Sequence, residues 1–214
     1  MSRFNFVILD VDSTLSGIEG IDWLAARRGA ETEAAVASLT EKAMQGTIPL
    51  ESVYGERLKM VQPTATEIAE LARVYIREMA PYAKEAIAEM SAKHVELFLV
   101  SGGLREAIVP LALEAGLKEE NVRAVSVRFD ATGNYDGFDE ESALTRQNGK
   151  RKVVKQLQLK GRTLAVGDGM TDCEIRPAVE GFAAYTGFVR RAPVIKQADY
   201  VVEDFRELQE LVLG

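Results

Sequence analysis

The sequence predicts an α/β fold: a parallel sheet with helices on both faces, interrupted by an all-helical insertion. Three observations carry this. Apolar runs at 4–9, 95–100 and 163–166 are short and continuous, as strands covered on both faces require. Helical patterns at 81–93, 104–115, 150–159 and 172–179 fall between most of the strand runs, and such alternation builds right-handed βαβ units. Residues 16–79 break the alternation and read as helix after helix.

In chain order, the strand at 4–9 delivers Asp10. The insertion follows as helices at 20–28, 31–45, 50–60 and 64–78, separated by Gly29, by Gly46-Thr47-Ile48-Pro49 and by Gln62-Pro63. Gly and Pro at these points end helices. A helical segment placed between the first strand and the next βα unit would lie over the strand ends as a cap. The expected division is a core of 1–15 and 80–214 with a helical cap of 16–79. The helix at 81–93 leads into the strand at 95–100, and 104–115 returns across the sheet. Residues 121–136, turning on Ala131-Thr132-Gly133-Asn134, resemble a hairpin. The strand at 163–166 and weaker runs at 182–185 and 200–202 complete the sheet.

A chain of 214 residues suits one large domain or a core with a smaller insert. Hydrophobic residues make up 47% and charged ones 28%, an ordinary globular balance. The net charge of -7 argues against a nucleic-acid partner, because phosphate backbones reward basic faces. No apolar run approaches the ~20 residues needed to cross a bilayer. The N-terminus enters a strand directly, without the pattern of a signal peptide. Cys173 is the only cysteine, which excludes an intramolecular disulfide. The expectation is a soluble cytoplasmic protein, with neither nucleic acid nor membrane as its partner.

Four features carry chemistry. Asp10-Val11-Asp12-Ser13-Thr14 sets two carboxylates two residues apart at a strand end. Their repulsion should drive their pKa values apart unless a cation lies between them. Ser101-Gly102-Gly103 opens the helix at 104–115, where a hydroxyl and unhindered amides could hold an anion. Lys150, after Asn148-Gly149, stands at a helix start against the helix dipole, which favours an anionic partner. In Gly167-Asp168-Gly169-Met170-Thr171-Asp172, Asp168 and Asp172 flank a glycine turn and suit a hard cation such as Mg²⁺. Each alone has a bland reading as an acidic loop, a turn, a solvated lysine or a capped helix. Together they fall at strand C-termini or helix starts, where one site can collect them. They make up a kit for phosphoryl transfer through an aspartyl phosphate.

On these motifs the chain resembles the haloacid dehalogenase superfamily of phosphatases, and within it the members that act on O-phospho-L-serine. The aspartate pentapeptide, Ser101-Gly102-Gly103, Lys150 and the 167–172 segment match the four family motifs in order. Glu19-Gly20-Ile21-Asp22, Lys42-Ala43-Met44, Glu56-Arg57-Leu58, Val61-Gln62-Pro63 and Gly137-Phe138-Asp139-Glu140 extend the similarity over nearly the whole chain. Leu104 departs from the usual Phe, and Thr171 from the Asn of many members.

The resemblance implies a Rossmann-like core and a phosphate-releasing reaction that completes serine biosynthesis, with phosphoserine as the small-molecule substrate. By it Asp10 is the nucleophile and Asp12 the general acid, then base. Mg²⁺ is held by Asp10, the Asp12 backbone carbonyl and Asp168, with Asp172 supporting. Ser101, Gly102, Gly103, Lys150 and Thr171 bind the phosphoryl oxygens. Glu19 receives the substrate ammonium and Arg57 its carboxylate, with Met44 and Leu50 walling the pocket. The family allows a monomer or a homodimer. One rival keeps the chemistry on another phosphomonoester, or passes the phosphoryl group to homoserine. A second rival is a receiver-like signalling module; the insertion at 16–79 and Asp12 count against it.

Overall fold

The computed structural model describes residues 2–45 and 47–214, with only the main chain of Met44. The chain opens with β1 (Phe6–Leu9). The insertion follows as α1 (Gly20–Ala26), α2 (Ala30–Met44), a 3₁₀ turn at Leu50–Ser52, α3 (Tyr54–Val61) and α4 (Ala65–Arg77). Next come α5 (Ala83–Ala92), β2 (Glu96–Leu104), α6 (Arg105–Glu114) and β3 (Val122–Val125). A hairpin of β4 (Val127–Phe129) and β5 (Tyr135–Phe138) precedes α7 (Gly149–Gln156). The chain ends with β6 (Thr163–Gly167), α8 (Met170–Cys173), β7 (Gly181–Tyr185), α9 (Ala192–Ile195), β8 (Tyr200–Val202) and α10 (Phe205–Leu213).

The main sheet has the order β3-β2-β1-β6-β7-β8, and every pairing in it is parallel. From β1 the chain first winds outward through β2 to β3, then resumes on the other side at β6. The winding therefore reverses between β1 and β6, and in such sheets the crevice opens beyond the strand C-termini at that point. Val7 and Leu9 of β1, Leu99 of β2 and Leu164 of β6 are buried to 2% exposure or less, which fixes the register of the central strands.

Several expectations need correction. The first part of 121–136 is not half of a hairpin: it forms β3 and lengthens the core sheet beside β2. Val122 and Val125 are buried there, and their burial against the sheet outweighs the local turn signal. The hairpin is the antiparallel pair β4–β5, which turns between Phe129 and Tyr135, on the expected Ala131-Thr132-Gly133-Asn134. Ser101-Gly102-Gly103 does not open a helix; β2 runs through it to Leu104, with its register to β3 disturbed between Val100 and Leu104, and α6 begins at Arg105. The helix expected at 172–179 is reduced to α8 and a 3₁₀ turn at Arg176–Ala178, where Pro177 cannot donate to a longer helix. The helix expected at 50–60 is split into the 3₁₀ turn and α3. The pattern reading also missed α9 and α10, although Asp204 caps α10 through the Arg206 and Glu207 amides.

The insertion meets the core where its two crossings run side by side. Gly17 N–H donates to Glu78 O at 2.9 Å, and Ala80 N–H to Leu15 O at 2.8 Å. The Ser16 hydroxyl donates to Tyr75 O at 3.1 Å. Inside the insertion, Thr64 and Glu67 form a capping box at the start of α4. Arg28 grips both Glu67 oxygens at 2.7 Å, tying the end of α1 to α4.

Leu99→Ala should lower the unfolding free energy by about 3 kcal/mol in urea denaturation, because the parallel sheet cannot collapse around the lost volume. Leu113→Ala, at a position 55% exposed, should cost less than about 1 kcal/mol.

Candidate active site

Asp10 and Asp168 stand at the C-terminal ends of adjacent strands. The β1–β6 ladder continues one step beyond the strand, with Asp10 N–H donating to Val166 O at 3.0 Å. A tight turn follows, with Ser13 in the left-handed region at φ 51°. It brings Thr14 Oγ1 to donate to Asp168 Oδ1 at 3.3 Å. After β6 the chain doubles back: a Cβ on Gly167 would stand 2.2 Å from Asp172 Cγ, so only glycine allows this close approach. Asp172 Oδ2 then accepts from Gly169 N–H at 3.0 Å and caps α8.

Lys150 enters from the start of α7 behind Asn148, whose left-handed φ of 59° turns the chain into the helix. Its ammonium is buried 2.7 Å from Asp10 Oδ1 and 2.6 Å from Asp172 Oδ1. Burial opposes the charge on Lys150, but the two carboxylates outweigh it and hold its pKa above the ordinary lysine value. Asp172 is pushed up to about 7 by burial first and by Asp10 second, with Lys150 pulling the other way.

Asp10, Asp168 and Asp172 each offer a carboxylate oxygen, all within 4.8 Å of one another. Two of their buried oxygens, Asp10 Oδ1 and Asp168 Oδ2, find no hydrogen-bond donor in good geometry. They meet only ion-pair partners, Lys150 on Asp10 and Arg191 on Asp168. Adding Asp12, four carboxylates face two cations. Oxygen ligands with unmet lone pairs, in excess over the cations that face them, fit a hard divalent cation.

Asp12 points toward the insertion. Its Oδ1 accepts from the Tyr75 hydroxyl at 2.5 Å and from Gly20 N–H at 3.0 Å. Burial raises its pKa to about 6, with the charge of Asp10 adding to the rise and the Tyr75 bond restraining it. Ser101 and Thr171 are buried beside the carboxylates. The Ser101 hydroxyl accepts from Gly103 N–H at 3.0 Å, so that amide is already engaged. Thr171 Oγ1 has no partner and is available to an oxygen of a bound group.

The insertion forms the other wall of this pocket, with Glu19, Asp22, Leu50, Tyr54 and Arg57 facing Asp10, Asp12, Ser101, Gly102, Lys150, Asp168 and Thr171. Arg57 is 4% exposed, and its Nη1 donates to Thr40 Oγ1 at 2.8 Å. Thr40 in turn donates to Asp22 Oδ1 at 2.5 Å. Arg57 Nε has no partner, which leaves donors of the guanidinium for an anion in the pocket. Glu19 Oε1 accepts from Ser13 Oγ at 2.8 Å. Its pKa is pushed up to about 8 by burial and by the neighbouring charge of Asp12.

The sequence model of the haloacid dehalogenase-like hydrolases matches residues 7–175. The chain belongs to this family. It is 35% identical to a bovine (Bos taurus) phosphoserine phosphatase, over 94% of this chain and 90% of that protein. It is 36% identical to a chloroplastic phosphoserine phosphatase of Arabidopsis thaliana, over 94% of this chain and 70% of that one. Among solved structures, a phosphoserine phosphohydrolase-like protein from Francisella tularensis superposes with a TM-score of 0.88 at 27% identity, covering 97% of this chain and 98% of that one. A substrate-bound phosphoserine phosphatase shares the fold with a TM-score of 0.83 at 21% identity, covering 99% and 100% of the two chains.

In this haloacid dehalogenase-like hydrolase, most of the singled-out residues line one pocket; Asp172 reaches it only through Lys150, and Gly103 spends its amide on Ser101. The side chain of Met44 lies outside the described residues. Several residues at the site were missed, Tyr54 in the pocket wall among them. Arg191 was given no role at the site, yet it is 9% exposed and rests on Asp168. Asp22 stands in a segment that carries the resemblance but was given no role, and Tyr75 lies within an insertion helix with nothing local to mark it. No helix of the described residues is long and apolar enough to cross a membrane.

Glu19 allows a sign to be worked out. A carboxyl with its pKa raised to about 8 keeps, in the folded protein, a proton that the unfolded chain releases above its ordinary value. Its contribution to stability is fully present below that ordinary value and is lost as pH rises through about 8. Without added divalent cation, Glu19→Gln should therefore gain on the wild type as pH rises. The gain should reach about 1 kcal/mol or more by about pH 9, read from denaturant melts across pH.

Proposed function

We propose that this chain hydrolyses O-phospho-L-serine to L-serine and phosphate through an aspartyl phosphate on Asp10, as the last step of serine biosynthesis. The observation that carries the reading is one pocket with two unlike ends. A carboxylate–ammonium cluster of Asp10, Lys150, Asp168 and Asp172 lies at the core end, and Glu19 and Arg57 at the insertion end. A phosphate suits the first end. An ammonium and a carboxylate on one carbon suit the second, since a guanidinium can take a carboxylate through two parallel bonds.

In this reading an Asp10 oxygen forms a bond to phosphorus as the bond from phosphorus to the seryl oxygen breaks. Asp12 gives its proton to that oxygen, then takes one from the water that releases phosphate. Lys150, Ser101, Thr171 and the Gly102 amide hold the phosphoryl oxygens as charge shifts among them. Residues 16–79 act as a cap on the core of 1–15 and 80–214 and close the pocket against bulk water. Asp10, the Asp12 carbonyl and Asp168 would hold Mg²⁺, with Asp172 supporting. Bound there, the ion offsets the charge of a carboxylate meeting a phosphate dianion. The lone Cys173 fits work in the cytoplasm.

Phosphate release from phosphoserine should require added Mg²⁺ and stop with a chelator, and Asp10→Asn should lose ~10³-fold or more in kcat. Arg57→Ala should raise KM for phosphoserine tenfold or more while sparing p-nitrophenyl phosphate, at a cost of about 1.4 kcal/mol or more in binding. Equal losses on both substrates would remove Arg57 from the substrate site. A product other than free phosphate when homoserine is added would mark the chain as a transferase.

A further inference from the structure

Asp12 is held by the insertion, not by the core that bears it. Both donors to its Oδ1 come from insertion helices: the Tyr75 hydroxyl from α4 at 2.5 Å and the Gly20 amide from α1 at 3.0 Å. The two donors are fitted to each other. Tyr75 is fully buried, and a Cβ on Gly20 would stand only 2.0 Å from its hydroxyl, so any side chain at position 20 must displace that hydroxyl. The other carboxylate oxygen looks the opposite way. A Cβ on Gly103 would lie 3.1 Å from Asp12 Oδ2 and 3.3 Å from Ser101 Oγ, so Oδ2 faces the strand end assigned above to the phosphate.

We propose that Tyr75 is a positioning residue that, with the Gly20 amide, saturates Asp12 Oδ1 and so leaves Oδ2 as the atom that moves the proton. The proposal rests on the reading of Asp12 as general acid and base. As the bond between phosphorus and the seryl oxygen breaks and the Asp10 ester forms, Oδ2 gives its proton to the seryl oxygen. Asp12 becomes a carboxylate with Oδ1 still held by two donors. In the second half, water forms its bond to phosphorus, the Asp10 ester breaks, and Oδ2 takes the proton that water loses. Fixing one rotamer of the acid removes the orientational search that would otherwise precede each transfer. Both donors sit on the insertion, and the Tyr75 backbone is tied to the crossing through Ser16. The acid is thus aligned only while the insertion is seated.

The test compares leaving groups. kcat/KM reports events up to the first phosphoryl transfer. A nitrophenolate departs without a proton, whereas a seryl alkoxide needs one. In Tyr75→Phe, kcat/KM for phosphoserine should fall about tenfold or more relative to kcat/KM for p-nitrophenyl phosphate, as expected for impaired general-acid assistance. Circular dichroism and the unfolding transition report whether the fold is kept. Gly20→Ala, which displaces the same hydroxyl, should lower the same ratio, and it decides the matter if Tyr75→Phe does not fold. An equal loss on both substrates, or no loss on either, overturns the role of Tyr75. So does an undiminished kcat/KM for ethyl phosphate, whose leaving alkoxide needs the proton but makes no use of Glu19 or Arg57, since a merely misfitted insertion would hurt phosphoserine alone. Asp12→Asn is measured alongside. Full phosphoserine hydrolysis in it sinks the acid–base reading and this proposal together, whereas an inactive Asp12→Asn beside equal losses in Tyr75→Phe sinks the proposal alone.

Discussion

One buried ammonium holds the site together. Lys150 Nζ lies between Asp10 and Asp172, 2.7 and 2.6 Å away, and without it three carboxylates could not share so small a space. Removing one partner from a buried ion pair costs about 3–5 kcal/mol, because the charge left behind is neither solvated nor matched. The position of Lys150 depends in turn on the turn at Asn148, whose N–H donates to Glu174 beyond α8. Even so, compensation is incomplete. Asp12 and Asp172 sit above their ordinary pKa values at about 6 and about 7, because burial costs each more than its partners return. That deficit is what a divalent cation and a phosphate can relieve together: the cation matches the acids, and the phosphate meets the lysine.

The structure divides labour between its two parts. Fixed strands and their C-terminal turns carry the groups suited to phosphoryl chemistry, and the insertion carries the groups suited to choosing a substrate, so one core can serve many substrates by changing its cover. The division is not complete, since Tyr75 and Gly20 reach back to Asp12 while Tyr54 donates to Gly102 O at 2.7 Å. The two crossings are zipped to each other between Leu15–Gly17 and Glu78–Ala80. A shift of the insertion at that seam would move the substrate-facing groups and the donors to Asp12 as a unit.

The central strands were legible because burial on both faces leaves an unbroken apolar run, and because the first charge after it marks the strand end. That logic found Asp10 and Asp168. It failed for β3, whose Val-Arg-Ala-Val is too short and mixed to stand out before a turn-rich segment. It also failed for Ser101-Gly102-Gly103, since Ser and Gly have low strand propensity and it is the paired residues on either side, Val100 and Leu104, that carry the strand through them. Arg57 and Arg191 show a different limit. Both are nearly buried, but an arginine on a helix or loop carries no local sign of whether solvent or a carboxylate will meet it. Arg57 was reached through its match to a family segment. Arg191 had no such match and was missed, although it ion-pairs with Asp168.

The substrate-facing end has an electrostatic consequence of its own. Glu19, with its pKa near 8, is largely neutral at pH 7 when the pocket holds no cation near it. An arriving ammonium favours the ionised form, so in the proposed reaction binding expels a proton from Glu19 and part of the attraction is spent on that ionisation. Affinity for the amino end should then rise with pH through the Glu19 pKa, until the substrate amine begins to lose its own proton. A phosphate ester without an ammonium draws no such charge from the pocket. It meets a neutral, half-buried acid already occupied by Ser13, which offers little beyond the phosphate contacts. In the proposed reading, discrimination between the two follows from a charge that forms only with the ammonium present, whereas Arg57 would take any carboxylate that fits.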